Sequence, residues 1–372
     1  MSQLNCLPQD AVFWGENMLE TALGRFSQHG INRPMTFTVP PLAELHRSLV
    51  APHIVNGVGT LTDFPPHVPD VAVAHALQAC LDAGADSIVA LGGGSVLDAA
   101  KAVSHLHAQQ TGRFLPIAAL PTTLSGAEFS HYFGITETDG PRKFKRSHAV
   151  RETTPKVVVI DPVLVLDTPR ALLLSSAIKG IDHAVEGMRR VDARHPHAIM
   201  AAAGVARFCT VLERWPAELE TRRAVELGLV SMDDLLQLQL AAWHCYFSPA
   251  SVIYGLSHRI GHILGGSFGL PHSMTSCITL APVIRACGPH YQGKLGVFVP
   301  GASGEAAAGI LADRIAALVR RLGLPDRISA FGLEKSRLGE IAALLRENYP
   351  EEVADLGAQA DSGLDALLAS LW

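Results

Sequence analysis

Two stretches of the chain join glycine and hydroxyl residues where an apolar, strand-like run ends. In SIVALGGGSVLDAAK, the run stops at Gly92, Gly93, Gly94 and Ser95 and passes into a helix-forming segment carrying Asp98 and Lys101. Glycines let a backbone approach a pyrophosphate closely, and a helix N-terminus offers unpaired N–H groups at the positive end of its dipole. Ser95 adds a hydroxyl donor. The pattern is neither G-x-G-x-x-G nor a Walker loop, and glycine also serves tight turns for steric reasons alone. The next apolar run leads into ALPTTLSGAE, which places Thr122, Thr123, Ser125 and Gly126 at the carboxyl-end edge where open α/β sheets bind ligands. Gly92, Gly93, Gly94, Ser95, Asp98, Thr122, Thr123 and Ser125 are the candidate dinucleotide cradle. Histidine is the second chemical feature, with 17 in the chain and several between His244 and His272. Scattered ones such as His46, His53, His105 and His107 read as exposed or locally hydrogen-bonded, whereas the cluster depends on whether its members share a surface.

The elements that must position these groups fall into two textures. Through about residue 160, short β-rich runs at 35 to 39, 87 to 91, 115 to 120 and 157 to 160 alternate with amphipathic stretches. That alternation predicts parallel strands joined by crossover helices. The run from Val71 to Ala85 has apolar spacing of three and four, and Gly84 fits a C-terminal glycine stop. After Asp161-Pro162, Ala/Leu-rich stretches predominate at 171 to 190, 196 to 213, 233 to 247, 303 to 322 and 335 to 347. The predicted architecture is an α/β dinucleotide-binding domain over 1–162 followed by an all-α domain over 163–372. Thr168-Pro169 suits an N-cap with proline at the first helical position. The basic run Arg142 to Arg151 reads as a solvated loop or as an attractor for an anionic substrate.

At 372 residues the chain exceeds one core, at roughly 150 residues per domain. Its 17% charged residues and net charge of -5 give no reason to expect nucleic acid. Six dispersed cysteines without a C-x-x-C pair are expected to be reduced thiols. The N-terminus lacks the pattern of a signal peptide and no apolar run approaches the ~18 residues of a spanning helix, so the expectation is a cytoplasmic protein without a membrane.

The combination of GGGSVLDAAK at 92 to 101, PTTLSGAE at 121 to 128, VVVIDPVLVLDTP and HRIGHILGGSFGLPH at 258 to 272 resembles the iron-containing alcohol dehydrogenase superfamily over nearly the whole chain. PTT-x-SG-x-E, the Gly-Ile-Thr-Glu at 134 to 137, AIKGIDHAVEGM and LGGSFGLPH resemble its maleylacetate reductases in particular. The resemblance implies the dehydroquinate synthase-like fold, with a Rossmann-like domain, a helical domain and an active site between them. It also implies a homodimer and NADH- or NADPH-dependent reduction of a small keto or enone acid from aromatic catabolism. In MTFTVPPL no acidic residue follows Thr38 to hold a ribose 2′-hydroxyl and no arginine to hold a 2′-phosphate, which leaves the choice of nucleotide open.

In the metal-dependent members an Asp and a His four residues apart join two later histidines fourteen apart. Those positions fall here on Lys179, His183, His258 and His272. An ammonium cannot ligate a metal and would be repelled by one. Three histidines alone can still hold zinc. The maleylacetate reductases, as the resemblance implies, also lack the acidic ligand and work without metal. The expectation is a metal-free pocket in which Lys179, His183, His258 and His272 bind a substrate carboxylate or polarise its carbonyl, and His262 donates the proton. Alternatively, Lys179 fills the vacated volume and anchors a carboxylate, or acts as a base or Schiff-base nucleophile in a lyase, isomerase or hydrolase. Asp182 is expected to point away from the His183 face, into a surface or helix-terminal contact. Arg259 either binds a carboxylate or faces solvent.

Overall fold

A computed structural model describes residues 3–65, 68–138, 144–302, 304–358 and 360–372. Six strands form one parallel sheet: β1 (Ala11–Trp14), β2 (Pro34–Phe37), β3 (Gly59–Leu61), β4 (Ser87–Gly92), β5 (Ile117–Pro121) and, last in the chain, β8 (Val157–Ile160). Their order is β1-β8-β5-β4-β2-β3. β6 (Tyr132–Glu137) and β7 (Phe144–Ala149) make a separate antiparallel hairpin. The predicted strands lie at the sheet centre, where both faces are covered and the sequence reads as a continuous apolar run. β1 and β3 at the edges are too short to stand out, and β7 carries much of the basic run read from sequence as a loop. Arg142 and Lys143 lie outside the described residues.

Register divides the side chains of the central strands between two faces. Ile88 pairs with Ile117, Ala90 with Ala119, and Gly92 with Pro121. Val89, Leu91, Ala118, Leu120, Val157 and Val159 therefore share one face, where they pack with Leu19, Leu23, Phe26 and Ile31. The opposite parity faces the helix Gly94–Thr111, whose Val96, Leu97, Ala100 and Val103 are buried. Each buried Leu or Ile contributes about 2 kcal/mol, and a slip of one residue would exchange the two faces. The pairing of Gly92 with Pro121 sets the turns that follow them side by side at the carboxyl-end edge.

The chain divides into two compact units, one of Asn5–Pro169 with Thr221–Leu240, the other chiefly of Arg170–Glu220 and Ala241–Trp372. This differs from a single cut at 162. Segment 221–240 returns to the first unit because Thr221 Oγ1 donates to Thr168 O at 3.3 Å, Arg222 grips Asp167 and Gln239 Nε2 donates to Asp161 O at 3.1 Å. Thr168 does not cap the following helix through its hydroxyl, which donates instead to Thr122 O at 2.6 Å.

The second unit is helical, with Arg170–Glu186, Pro196–Leu212, Leu256–Gly266, His272–Ala286, Glu305–Arg321 and Leu338–Asn348 among its members. Residues 173–186 of the first of these are buried throughout, so its polar residues must satisfy one another inside the unit. The six cysteines are unpaired. Among the described residues no helix is long and apolar enough to cross a membrane.

Candidate active site

The cradle in the first unit is closed by steric contact. Gly93 precedes the 18-residue helix Gly94–Thr111, and its carbonyl accepts the N–H groups of Val96 and Leu97. The N–H groups of Gly94 and Ser95 thus stand ahead of the first intrahelical bonds, where an anion binds. A Cβ on Gly92 would lie 2.5 Å from Val96 Cγ2, and one on Gly93 would lie 2.8 Å from Thr123 Cγ2. The second turn is bonded to the first by Thr122 N–H to Gly92 O at 3.1 Å, and the Thr123 and Ser125 hydroxyls are 3.5 Å apart. Seven of the eight predicted cradle residues therefore lie in or beside one pair of turns. Asp98 is drawn elsewhere: its Oδ2 accepts the Gly134 N–H at 3.2 Å, tying the β6–β7 hairpin to the helix.

The predicted site residues of the second unit converge. Lys179, Asp182, His183 and Glu186 repeat at three and four residues and share a face of their helix. His258 and His262 lie one turn apart in Leu256–Gly266, and His272 opens His272–Ala286. Ring centroids are 5.1 Å apart for His183 and His258, 5.0 Å for His258 and His262, and 5.7 Å for His262 and His272. His183 and His258 are buried, whereas His262 and His272 are half-exposed, so the cluster runs from interior to surface. Tyr246 stacks on His183 at 4.1 Å and Tyr254 on His258 at 4.9 Å.

Lys179 is 2% exposed. Its Nζ donates to Asp182 Oδ2 at 3.2 Å and lies within hydrogen-bond distance of His258 Nδ1, at 3.0 Å. The same Asp182 oxygen accepts the Ser276 hydroxyl at 2.5 Å. This corrects the expected outward direction of Asp182, which is wholly buried. Adjacent residues do diverge by about 100°, but Asp182 stands three residues after Lys179 and shares its face. Burial first, then the Lys179 charge and the surrounding imidazoles, hold His258 well below the usual histidine range, so it is neutral near pH 7.

Glu186 closes the cluster from behind. Its carboxyl oxygens accept the N–H groups of Gly255, Ser257 and His258 at 3.0, 3.0 and 2.9 Å, capping the helix that carries His258. Burial and the Asp182 charge push its pKa up to about 8, opposed by the His258 and Ser257 N–H groups and by the Lys179 charge. Arg259 is neither free nor aimed at a ligand, since it donates to Glu352 at 2.8 Å and lies over Tyr349.

A divalent ion at the four positions implied by the resemblance fits these residues poorly. The Lys179 amine already occupies the approach to His258 Nδ1, and its charge opposes a second cation. Asp182, Glu186 and His258 do bring ligand-type atoms within 4.8 Å of one another. Glu186, however, is engaged by three backbone donors, and Asp182 by Lys179 and Ser276. Glu186 and Ser276 do not stand out in the sequence as site residues, and Asp182 does so only with the wrong direction. The signal available for Asp182 and Glu186 is the charged repeat at 179, 182, 183 and 186 in a largely apolar helix.

Comparison with known proteins identifies the family. The iron-containing alcohol dehydrogenase profile matches residues 8–162 and the C-terminal profile of the same family matches 175–351. The chain is 29% identical to a maleylacetate reductase of Pseudomonas aeruginosa over 97% of this chain and 94% of that one. It is 30% identical to maleylacetate reductase 2 of Cupriavidus pinatubonensis over 81% and 80%. Among solved structures, a putative alcohol dehydrogenase from Ralstonia eutropha superposes with a TM-score of 0.82 at 25% identity, covering 100% of this chain and 98% of that one. Maleylacetate reductase from Agrobacterium tumefaciens superposes with a TM-score of 0.78 at 23% identity and the same coverage. The chain is a nicotinamide-dependent oxidoreductase that belongs to the iron-containing alcohol dehydrogenase family and is maleylacetate reductase-like.

Proposed function

We propose that the protein reduces a small keto or enone acid of the maleylacetate type, arising in aromatic catabolism, without a metal ion. The observation that carries this reading is Lys179, whose amine lies 3.0 Å from His258 Nδ1 at the position where the sequence resemblance implies an acidic metal ligand. The maleylacetate reductases among its relatives supply the substrate class.

NADH or NADPH, when bound, supplies the hydride. Gly92, Gly93, Gly94 and Ser95 would hold its pyrophosphate at the helix N-terminus, with Thr122, Thr123 and Ser125 alongside. Lys179, His183, His258 and His272 form an electropositive, donor-rich pocket for the substrate's oxygen or carboxylate. His262, half-exposed and one turn from His258, delivers the proton that the oxygen needs after hydride reaches carbon. A Schiff-base lyase role for Lys179 fits less well, because the amine is buried and bonded to both Asp182 and His258.

The test is NAD(P)H oxidation by chelator-treated protein offered maleylacetate and a panel of small keto acids and aldehydes, with Lys179→Ala and His262→Ala alongside. The expected result is chelator-resistant turnover that Lys179→Ala abolishes. Turnover restored only by added iron or zinc, or no carbonyl reduced despite nucleotide binding, would overturn the proposal.

A further inference from the structure

Resting on that metal-free reading, we infer that Lys179 acts through His258: it fixes the Nε2–H tautomer of this histidine, whose N–H then offers the substrate oxygen the electrophilic contact. Asp182 and Ser276 are positioning residues that hold Lys179 to this task. The assignment follows from donor inventory. An ammonium has hydrogens and no lone pair, so at 3.0 Å it requires His258 Nδ1 to be the acceptor. A neutral imidazole with an unprotonated Nδ1 carries its proton on Nε2.

Each neighbour of Lys179 reinforces this polarity. Asp182 Oδ2 takes an N–H of the amine at 3.2 Å and the Ser276 hydroxyl at 2.5 Å, while standing 4.0 Å from His258 Nδ1. The imidazole therefore meets the lysine directly and the carboxylate only through it. Ser276 lies four residues after His272 in one helix, so the face that presents His272 also anchors Asp182. Glu186 fixes the His258 backbone from the other side. The result is a directed chain, with Ser276 and Lys179 both donating to Asp182, Lys179 donating to His258, and Nε2–H left over for a ligand. A metal bound through Nε2 would have to displace that proton, a second reason why lysine at this position disfavours metal.

When bound, the nicotinamide would supply hydride for the new C–H bond as the carbonyl π pair moves onto oxygen. His258 Nε2–H stabilises the charge that develops there. His262 or water then protonates the oxygen, leaving the alcohol and oxidised nucleotide. For an enone, hydride would add at the β carbon, the C=C pair would shift to make the enolate whose oxygen takes the same His258 contact, and a proton delivered to the α carbon would complete the saturated ketone.

The experiment is a long-range 1H–15N spectrum of 15N-histidine-labelled protein, with the His258 signals assigned by their loss in His258→Gln. Wild type is expected to show a lone-pair Nδ1 and a protonated Nε2, a preference weakened or reversed in Lys179→Met. Turnover should fall about a hundredfold in Lys179→Met, as when a preorganised oxyanion donor is lost, with nucleotide KM unchanged. Asp182→Asn and Ser276→Ala should each lower kcat in wild type but add little in the Lys179→Met background. A protonated Nδ1 in wild-type His258 overturns the inference, and this result needs no Lys179 variant to fold. Fully additive losses from Asp182→Asn and Ser276→Ala overturn the positioning role. Turnover unaffected by Lys179→Met, with the expected tautomer in wild type, overturns the proposed catalytic use instead and leaves the tautomer assignment standing.

Discussion

Glu186 accepts the backbone N–H of His258 at 2.9 Å, so a carboxyl on one helix caps another at the residue that contacts Lys179. Two further N–H groups, from Gly255 and Ser257, converge on the same carboxyl. A helix N-terminus left uncapped inside a protein costs about 1 kcal/mol or more, and this cap also places the catalytic imidazole of the proposed site.

Gly255→Ala tests that cap. The added Cβ would lie 2.8 Å from Glu186 Oε1 and 3.3 Å from its Cδ, so the carboxyl must retreat from the helix it caps. Overpacking of this kind destabilises by about 1–3 kcal/mol. The expected outcome is a lower midpoint in urea unfolding together with a kcat reduced at least tenfold. An alanine variant with wild-type stability and turnover would mean that the Glu186 contact does not position His258.

Gly93→Ala addresses the cradle. Its Cβ would meet Thr123 Cγ2 at 2.8 Å and Oγ1 at 3.2 Å, forcing apart the two turns proposed to hold the pyrophosphate. Nucleotide affinity, measured by quenching or calorimetry, should fall by about tenfold or more, the equivalent of roughly 1.4 kcal/mol. Adding Thr123→Ser removes the nearest clashing atom and should recover part of that affinity. If the double variant binds no better than Gly93→Ala, the clash is not the cause.

What the sequence made legible follows from where each signal is local. The GGGS and PTT-x-SG turns adjoin apolar runs, so their place at the carboxyl edge could be read before any contact was known. The parallel sheet was equally readable from 87–91, 115–120 and 157–160, where both faces are buried. β1 and β3 carry four and three residues and depend on pairing with their neighbours, so no window of sequence revealed them. The return of 221–240 to the first unit depends on Arg222 meeting Asp167, a contact between residues 55 positions apart. Asp182 was misread because its helix was treated as having a solvent side. In a helix buried all round, an acid three residues from a lysine has that lysine as its nearest available partner.

His262→Gln separates proton delivery from substrate holding. His262 is half-exposed, and its ring lies 5.0 Å from that of His258. A general acid contributes about 10²–10⁴-fold to rate, so kcat should fall by at least a hundredfold while nucleotide KM is unchanged. A fall of less than threefold would assign the proton to water and leave His262 a bystander.

Stability should weaken in acid through His197, which lies outside the cluster. Its Nε2 is 3.1 Å from Ala184 O, it is 1% exposed, and a Cβ on Gly187 would come within 2.2 Å of it. Burial drives its pKa down to about 4 from 6.5, with His195 adding in the same direction and the Ala184 bond opposing. Between those values the unfolded chain takes up a proton that the native imidazole refuses. Stability therefore holds above pH 6.5 and declines as pH falls towards 4, by about 2 kcal/mol at pH 5. His131, also lowered to about 4, acts in the same direction, whereas Glu128, raised to about 7, gains stability as it protonates. The His197 share is isolated by urea unfolding of wild type and His197→Gln at pH 7 and pH 5. Glutamine keeps a donor for Ala184 O but cannot titrate, so the variant should lose about 2 kcal/mol less than wild type between the two pH values. Parallel losses in the two proteins would show that His197 is charged in the native state or plays no part in the acid sensitivity.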